Sequence, residues 1–249
     1  ITYEAPYLDN LPTAPREKFA ANIAAIQKLK EIEQRVANGG SPAFEDEQKI
    51  LAQYTGWGGL SDAFDPNKST WSNEYSQLKA ALSESEYEAA RSSTLTAFYT
   101  PATVIHPIYR ALERFGVKGG KILEPSMGTG AFLAHGHFGS SDAKFYGVEL
   151  DSITGRISKQ LYQKANIQVT GYENALLPDN YFDCVIGNVP FGNFQVNDPQ
   201  YNRLHFPIHD YFFAKSIDKL RTGGIMAFIT SSGTLDKKDD RARKYIAER

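Results

Sequence analysis

The second part of the sequence alternates short apolar runs of β-forming residues with segments of helical length. This alternation begins after Tyr99 and is typical of a parallel α/β sheet, whose strands are joined by helical crossovers. The predicted strands are Lys121–Leu123, Lys144–Val148, Ile167–Thr170, Phe182–Ile186 and Ile225–Thr230. The predicted helices are Pro101–Phe115, Gly130–His137, Ser152–Ala165 and Asp210–Leu220. We therefore expect an α/β fold with a doubly wound, Rossmann-like sheet that binds ligands beyond the carboxyl ends of its strands.

The first third of the sequence carries helical patterns and no strand pattern. Apolar residues recur there at three- and four-residue steps, and the run Asn38–Pro42 ends the first helix. The predicted helices are Arg16–Val36, Phe44–Gln53 and Asn73–Ser92. Between the last two lies the glycine-rich loop Tyr54–Gly59. We expect Trp57 to anchor this loop by burial, with contact to a ligand as the alternative.

Composition limits the kind of protein this is. The 27 Lys and Arg residues nearly balance the 29 Asp and Glu residues, and the net charge is −2. The one cysteine, Cys184, cannot form an internal disulfide, and no Cys and His set has zinc-finger spacing, so we expect no metal and a buried packing role for the thiol. No apolar run approaches the ~18 residues of a membrane helix. A reducing cytoplasm is the expected location.

The chain divides into two predicted parts. We expect a helical N-terminal region over residues 1–94 and a second domain over residues 95–249. The sequence starts with Ile1 instead of Met and ends within a charged helical run. We therefore expect it to be a piece of a longer protein.

The loop after the first predicted strand combines an acidic residue with two glycines. It reads Glu124-Pro-Ser-Met-Gly-Thr-Gly-Ala-Phe132, so Gly128 and Gly130 stand where the chain turns into a helix. Glycines let the backbone approach a ligand closely, and free N–H groups at a helix start favour an anionic end such as a carboxylate. Neither the dinucleotide fingerprint nor the P-loop is complete here, so NAD and ATP fit poorly. A tight turn that needs glycine for steric reasons alone is an equally good interpretation.

The second predicted strand ends in Gly147-Val-Glu-Leu-Asp151. Glu149 is placed to accept hydrogen bonds from both hydroxyls of a ribose, as the corresponding acid does in nucleotide-binding α/β folds. A solvated carboxylate at a strand end is the alternative. The position of Glu149 relative to the glycine loop favours the interpretation as a ribose-binding residue.

The run Asn188-Val-Pro-Phe191 directly follows the fourth predicted strand and resembles the catalytic loop of the amino-methylating DNA methyltransferases. In that family the loop reads Asn or Asp, Pro, Pro and an aromatic residue. The resemblance extends from about Leu95 to Ser232 in the gamma-type order, through Phe98–Pro101, Glu124–Phe132, Gly147–Asp151 and Tyr172–Asn174. It implies a class I methyltransferase sheet, incomplete at its C-terminus. It also implies methyl transfer from S-adenosyl-L-methionine (SAM) to N6 of adenine in DNA.

The resemblance further implies which residues contact the target base and the cofactor. The catalytic positions are Asn188, Val189, Pro190 and Phe191. The cofactor-binding positions are Tyr99, Thr100, Glu124, Pro125, Gly128, Gly130, Phe132, Glu149, Leu150, Glu173 and Asn174. Capping of a helix that starts at Pro101 is an alternative role for Thr100, and membership of the core is an alternative for Phe132.

The residue types of the catalytic loop suit the activation of an amine. An exocyclic amine is a poor nucleophile because its lone pair is delocalised into the ring. Two acceptors aimed at its N–H groups favour a tetrahedral nitrogen with a directed lone pair. The side-chain oxygen of Asn188 and the carbonyl of Val189 are the expected acceptors, and valine in place of proline keeps that carbonyl. Phe191 is expected to stack on the base after it leaves the duplex.

The whole chain is also similar to the N-terminal methylase part of methylase-helicase fusion proteins of phages and mobile elements. The segments that carry this similarity are Tyr54–Gly59, Phe98–Pro101 and Asn188–Gly192. It implies fused or associated target-recognition and helicase domains, and the net charge of −2 predicts weak DNA binding by this domain alone. The alternatives are a protein glutamine amide or an RNA base as acceptor, cytosine N4 as target, and a catalytically silent nucleic-acid-binding module.

Overall fold

The computed structural model describes residues 10–94, 99–136 and 143–249. The chain forms two compact units. The helical unit contains the chain up to Tyr99 together with Asp151–Lys164, and the sheet unit contains Thr100–Leu150 and Ala165–Arg249. The domain boundary after residue 94 stays a prediction. Phe98 and His137, which belong to predicted segments, lie outside the described residues.

The helical unit is built around one long helix, α1 (Pro15–Ala37). Pro15 occupies the first helical turn, where its missing N–H has no helical acceptor in any case. The predicted apolar stripe is buried from Phe19 to Ile32, and Gly39, at φ +83°, follows the last turn, in agreement with the predicted stop. The other helices of this unit are α2 (Glu45–Leu51), α3 (Ser72–Ala81), α4 (Glu84–Ser93) and α7 (Ser152–Leu161), with 3₁₀ turns at Ser61–Phe64 and Ser69–Trp71.

The single helix predicted over Asn73–Ser92 is in fact two helices. Ser83 separates α3 from α4 because its side chain accepts a hydrogen bond from the N–H of Glu86 at 3.3 Å. In return the Glu86 carboxylate accepts from the N–H of Ser83 at 2.9 Å. This reciprocal pair is a capping box, whose Ser-x-x-Glu pattern marks a helix start. The prediction of one continuous helix was wrong because it overlooked that pattern.

A buried asparagine of α1 holds the loop Tyr54–Gly59. The Asn22 Nδ2 donates to the carbonyl of Gly56 at 2.6 Å, and the Asn22 Oδ1 accepts from the N–H of Thr55 at 2.8 Å. Trp57 is 1% exposed and packs edge-on against other aromatic rings of the unit. The expectation that burial of Trp57 anchors this loop is confirmed.

Helix α7 packs with the N-terminal helices, although its sequence lies between two strands. Arg156 donates to both carboxylate oxygens of Glu33, at 2.7 and 2.9 Å, and to Glu86 at 2.7 Å. The Gln160 side chain accepts from the N–H of Ala43 at 2.9 Å. The helix begins at Ser152 as predicted and ends at Leu161, four residues before the predicted end.

The sheet unit contains, within the described residues, five parallel strands in the order β3-β2-β1-β4-β5. The strands are β1 (Lys121–Glu124), β2 (Lys144–Glu149), β3 (Asn166–Val169), β4 (Phe182–Asn188) and β5 (Leu220–Ile229). The helices are α5 (Ala102–Arg114), α6 (Ala131–His135), α8 (Ile208–Lys219), α9 (Gly233–Asp236) and α10 (Arg241–Ala247), with 3₁₀ turns at Tyr172–Asn174 and Asn202–Leu204. The predicted α/β class with a doubly wound, Rossmann-like sheet is confirmed.

Four strands are longer than predicted, β1 and β2 by one residue each and β4 and β5 by more. β4 continues through Asn188, so this residue ends a strand instead of following one. β5 begins at Leu220, directly after α8, five residues before the predicted start. The glycine-rich start of β5 enters the sheet through a register shift against β4, and Gly223 there has a φ of +77°.

Successive residues of the central strands face opposite sides of the sheet. Ile122 and Cys184 join one core cluster, whereas Leu123 and Val185 join the other. Burial raises the pKa of Cys184 to about 12, in agreement with the packing role expected for this thiol. No helix in the described part of the chain combines the length and the apolar character that crossing a membrane requires.

Candidate active site

Three polar residues lie at the carboxyl ends of neighbouring strands. Glu149 ends β2, Glu124 ends β1 and Asn188 ends β4, and β1 is paired with both of the other strands. Because all the strands are parallel, the three residues lie at one edge of the sheet. The chain leaves β1 toward one side for β2 and later returns to the other side for β4. Such a switch in strand order is where doubly wound sheets bind ligands.

The loop between β1 and α6 needs its two glycines for its backbone conformation. Gly128 has a φ of +54° and Gly130 a φ of +79°, a region that strains residues with a side chain. The N–H of Gly128 donates to Glu149 Oε2 at 2.8 Å, and the N–H of Met127 donates to the Val148 carbonyl at 3.0 Å. The loop is therefore fastened to the end of β2. It combines a steric need for glycine with a backbone contact to the β2 carboxylate.

Glu124 is a buried carboxyl group, 2% exposed, whose Oε2 has no hydrogen-bond donor among the described residues. It lies against β4, since a Cβ built on Gly187 would stand 3.4 Å from the Glu124 Cγ. Burial, followed by the charge of Glu149, raises the pKa of Glu124 well above its usual range. A buried polar atom without a partner is costly in a folded protein, and a ligand that supplies the missing hydrogen bond removes that cost.

The two polar atoms of the Asn188 side chain differ in their hydrogen bonding. Nδ2 donates to Thr100 Oγ1 at 3.2 Å, whereas Oδ1 is buried and has no donor in the described part of the chain. The backbone carbonyl of Asn188 accepts from Ser126 Oγ at 2.8 Å, which ties the end of β4 to the loop after β1. Ser126 was not among the predicted site residues, although it lies inside the predicted loop Glu124–Phe132.

Thr100 does not cap the helix that follows it. α5 begins at Ala102, with Pro101 at the N-cap position and no side-chain capping bond. Pro101 has extended backbone angles, φ −72° and ψ 152°, so it precedes the helix instead of starting it. The capping role suggested for Thr100 was therefore wrong. Its hydroxyl instead accepts the hydrogen bond from Asn188.

The rest of the catalytic loop has a buried start and an exposed end. Val189 is 1% exposed and belongs to the core, and its N–H donates to the Ile229 carbonyl of β5 at 3.1 Å. Pro190 is half-buried, and Phe191 is 52% exposed. Neighbouring strands thus fix the loop backbone, while an aromatic ring remains accessible to solvent.

The turn Tyr172–Asn174 follows β3 at the same edge of the sheet. Glu173 is half-buried and Asn174 is exposed. The Asn174 Nδ2 donates to Glu173 Oε1 at 3.1 Å, so these two predicted cofactor-binding side chains are hydrogen-bonded to each other.

The remaining cofactor positions differ in their surroundings. Pro125 is buried, and Phe132 is buried within a core cluster of the sheet unit. Leu150 is exposed. Tyr99 belongs to the helical unit, where its hydroxyl occupies the space beside Gly56. Their roles toward a cofactor stay predictions.

The groups at the strand edge fit a cationic nucleoside such as SAM. Glu124 and Glu149 bring carboxyl groups to the ends of adjacent strands, and SAM carries a sulfonium and an ammonium charge together with a ribose diol. Gly128 and Gly130 keep the loop beside these carboxyl groups free of side chains. Among the described residues no group of three His, Cys, Asp or Glu side chains is arranged to hold a metal ion.

A solved structure from Listeria monocytogenes, assigned to the class I SAM-dependent methyltransferases, shares this fold. It matches with a TM-score of 0.54 and 17% sequence identity, covering 92% of this chain and 79% of the other. At this identity the similarity is one of fold. The class I methyltransferase fold implied by the resemblance is confirmed.

Two relatives extend the comparison to sequence. The Defense against restriction protein B of Escherichia phage P1 is 29% identical over 219 residues, which are 86% of this chain and 8% of that protein. The Modification methylase CviBIII of Paramecium bursaria Chlorella virus NC1A is 31% identical over 140 residues, which are 54% of this chain and 37% of that protein. The chain therefore spans only a small part of either relative.

Residues 81–249, well over half of the chain, match the Eco57I restriction-modification methylase family. A methylase with the class I fold takes its methyl group from SAM, which is the cofactor that the catalytic and glycine loops imply. The chain belongs to the Eco57I restriction-modification methylase family.

Proposed function

We propose that this chain is the methyl-transferring domain of a SAM-dependent DNA methyltransferase that modifies N6 of adenine. The observation that carries the proposal is the Asn188 side chain, whose buried Oδ1 has no donor among the described residues while its Nδ2 is held by Thr100. An oxygen fixed in this way is ready to accept a hydrogen bond from a ligand N–H group. The exocyclic amine of adenine supplies such a group. Membership of a restriction-modification methylase family supports a DNA base as the methyl acceptor.

The catalytic loop activates the amine by accepting hydrogen bonds from it. The Asn188 Oδ1 accepts from one N–H and the Val189 carbonyl from the other. Both bonds favour a tetrahedral nitrogen, whose lone pair is then available for attack. The N–H of Val189 is bound to β5 and the carbonyl of Asn188 to Ser126, so the two acceptors are held in place before the base arrives. Preorganised polar groups of this kind are a main source of catalytic power.

The carboxyl groups of the strand edge hold the cofactor. When bound, SAM supplies a methyl group on a positively charged sulfur. Glu149 at the end of β2 accepts from the ribose hydroxyls, as the acid at this position does in related nucleotide-binding folds. Gly128 and Gly130 allow close approach of the loop backbone. Glu124 places a buried carboxyl group near the cationic part of the cofactor, whose positive charge favours the ionised form of this group.

Phe191 receives the target base. A base inside a duplex is out of reach, so it must swing out of the stack, at a cost of a few kcal/mol. Stacking on an aromatic ring returns about 1–3 kcal/mol per base. The 52% exposure of Phe191 leaves its ring available for this contact.

The domain works as part of a larger protein in the cytoplasm. We assign target recognition to DNA-contacting domains outside this chain, and we expect a helicase part in the same protein or complex. Two facts support the assignment of target recognition to other domains. The net charge of −2 disfavours strong DNA binding by the chain itself, and the chain corresponds to 8% and 37% of its two relatives.

The test is to incubate the full-length protein with labelled SAM and unmodified DNA and to digest the product to nucleosides. We expect label in N6-methyladenine. Label in N4-methylcytosine would correct the target base. Label only in protein or RNA would reject a DNA acceptor, and cofactor binding without any transfer would favour a silent binding module.

Asn188→Ala is the decisive variant in this assay. We expect it to lower methyl transfer by at least about 10²-fold, the usual effect of removing one preorganised hydrogen-bonding group. Its affinity for SAM should stay within a few fold of wild type. Asn73→Ala, an exposed substitution on α3, is the matched control and should transfer methyl groups normally. Normal transfer by Asn188→Ala would disprove the role assigned to Asn188.

A further inference from the structure

A buried lysine of α8 contacts the turn after β3, which carries two predicted cofactor residues, and the segment that follows the catalytic loop Asn188–Phe191. The side chains of Lys215 and Asp198 are 5% and 7% exposed, and Lys215 Nζ lies 2.8 Å from Asp198 Oδ2. Asp198 belongs to the segment that follows the catalytic loop Asn188–Phe191 in the sequence. Lys215 Nζ also donates to the carbonyl of Glu173 at 3.4 Å. One ammonium group thus bridges the segment after β4 and the turn after β3.

The surroundings of Lys215 complete this bridge. Its Nζ lies 5.0 Å from the ring centre of Tyr172, the first residue of the turn, and 5.8 Å from that of Tyr211. The Tyr211 hydroxyl donates to Asp198 Oδ2 at 2.7 Å. Burial lowers the pKa of Lys215, and the hydrogen bond to Asp198 opposes that effect. Lys215 therefore holds the turn by its first ring and by its backbone at once.

The stability of the protein does not explain this pair. Removing two charges from water costs about as much as their attraction returns, and apolar residues of similar volume often replace a buried ion pair without loss. What apolar residues cannot supply is a directional bond to both the Glu173 carbonyl and the Asp198 carboxylate. The bridge therefore fixes the positions of the Glu173 carbonyl and of Asp198 more than it adds to the free energy of unfolding.

A second buried lysine provides a comparison one helical turn later. Lys219 Nζ donates to the Leu177 carbonyl at 2.9 Å and to Asp179 Oδ1 at 2.5 Å. It fastens α8 to the same connection between β3 and β4, but beyond the turn Tyr172–Asn174. The two lysines thus share burial, helix and type of partner, and they differ in whether they contact that turn.

We propose that Lys215 is a positioning residue, which fixes the turn Tyr172–Asn174, with its predicted cofactor residues, relative to the segment that follows the catalytic loop Asn188–Phe191. The inference rests on the proposed function, because it takes SAM as the cofactor and the predicted residues Glu173 and Asn174 as two of its contacts. Loss of the ammonium group frees the Glu173 carbonyl and leaves Asp198 without its cation. Cofactor affinity and the use of DNA therefore both worsen.

The experiment compares Lys215→Met with Lys219→Met in the full-length protein. Calorimetric melting measures stability, and titration calorimetry measures the dissociation constant for SAM. We expect a larger decrease in melting temperature for Lys215→Met, because its partner Asp198 is buried whereas Asp179 is half-exposed, so SAM binding is measured well below both melting temperatures. We expect the dissociation constant to rise about tenfold in Lys215→Met, the effect of losing one hydrogen bond from a charged group, and less than about twofold in Lys219→Met. Equal rises in the two variants would overturn the proposal, because they would show only a general loss of structure.

Asp198→Asn separates the two contacts of the bridge and serves if Lys215→Met does not fold. It keeps the side-chain shape and leaves the bond from Lys215 to Glu173 in place. We expect affinity for SAM within about twofold of wild type and methyl transfer to DNA reduced about fivefold or more, the loss expected for weakening one buried bond. Unchanged transfer, or a loss of SAM affinity as large as that of Lys215→Met, would overturn the proposal.

If the proposed function is wrong, the measurement that shows it is methyl transfer by the wild-type protein, not the comparison of the two lysine variants. A wild-type protein that binds SAM and transfers no methyl group to DNA refutes the proposed acceptor. In that case the SAM affinities of the two lysine variants still decide the role of Lys215.

Discussion

Two groups of buried polar side chains in the sheet unit differ in how completely they are paired. At the strand edge, Glu124 Oε2 and Asn188 Oδ1 have no donor in the described part of the chain. Around α8, Asp198 accepts hydrogen bonds from both Lys215 and Tyr211. Buried polar atoms are thus unpaired in the first group and paired in the second. Under the proposed function the unpaired acceptors of the strand edge bind a ligand, whereas the paired network around Asp198 holds the surrounding loops.

Asp198→Ala should produce the largest loss of stability. Removing one partner of a buried ion pair leaves an uncompensated charge, and we expect the free energy of unfolding to fall by about 3–5 kcal/mol. Urea denaturation measures this loss. Gln200→Ala, an exposed change two residues away, is the control and should stay within about 0.5 kcal/mol of wild type. A loss below about 1 kcal/mol for Asp198→Ala would show that the paired network around Asp198 does not stabilise the fold.

Glu124→Gln should change how stability depends on pH. The raised pKa of Glu124 means that the folded protein keeps a proton that the unfolded chain releases above pH 4.5. The wild type is therefore most stable, relative to the variant, below pH 4.5. It loses stability as the pH rises from there to the raised value, by at most about 1.4 kcal/mol per pH unit for one proton.

Unfolding measured between about pH 4 and about pH 8 tests this expectation, since one linked proton changes the stability difference between pH 4.5 and the raised pKa of Glu124. The stability of Glu124→Gln relative to wild type should increase with pH. Glu113→Gln, on the exposed surface of α5, is the control. A difference between Glu124→Gln and wild type that does not vary with pH would contradict the assignment of a protonated, unpaired carboxyl group.

Gly128→Ala should have the smallest effect on stability and a selective effect on binding. Gly128 and Gly116 both have positive φ angles, +54° and +91°, so alanine at either position should cost about 1–2 kcal/mol. Only Gly128→Ala disturbs the backbone bond to Glu149, and only this variant should bind SAM more weakly in titration calorimetry. Equal SAM affinities for the two variants would place the glycine loop outside the cofactor site.

The sequence predicted the sheet well because strand periodicity and turn residues are local signals. The apolar runs ending near Glu124, Glu149 and Asn188 are the strands that the structure contains, and parallel crossovers place their ends at one edge. The narrower errors have local causes as well. The capping box at Ser83 was present in the sequence but was not used, and the glycine-rich start of β5 had the composition of a turn.

Local sequence signals could not predict the hydrogen-bond partners of individual side chains. The bond from Asn188 to Thr100 and the pair Lys215–Asp198 join residues from different elements, and only the packing of the complete unit brings them together. The position of Val189 shows the same limit. Its departure from the family pattern is visible in the sequence, whereas its membership of the core is visible only in the fold.

The bond between Ser126 and Asn188 joins residues 62 positions apart in the chain. At a synthesis rate of about 5–20 residues per second, about 3–12 s separate the two residues as the chain is made. The glycine loop is therefore synthesised well before the strand that ends in Asn188, the residue proposed to accept a hydrogen bond from the target amine. A growing chain would acquire the glycine loop, proposed to hold the methyl donor, before the residues proposed to contact the target base.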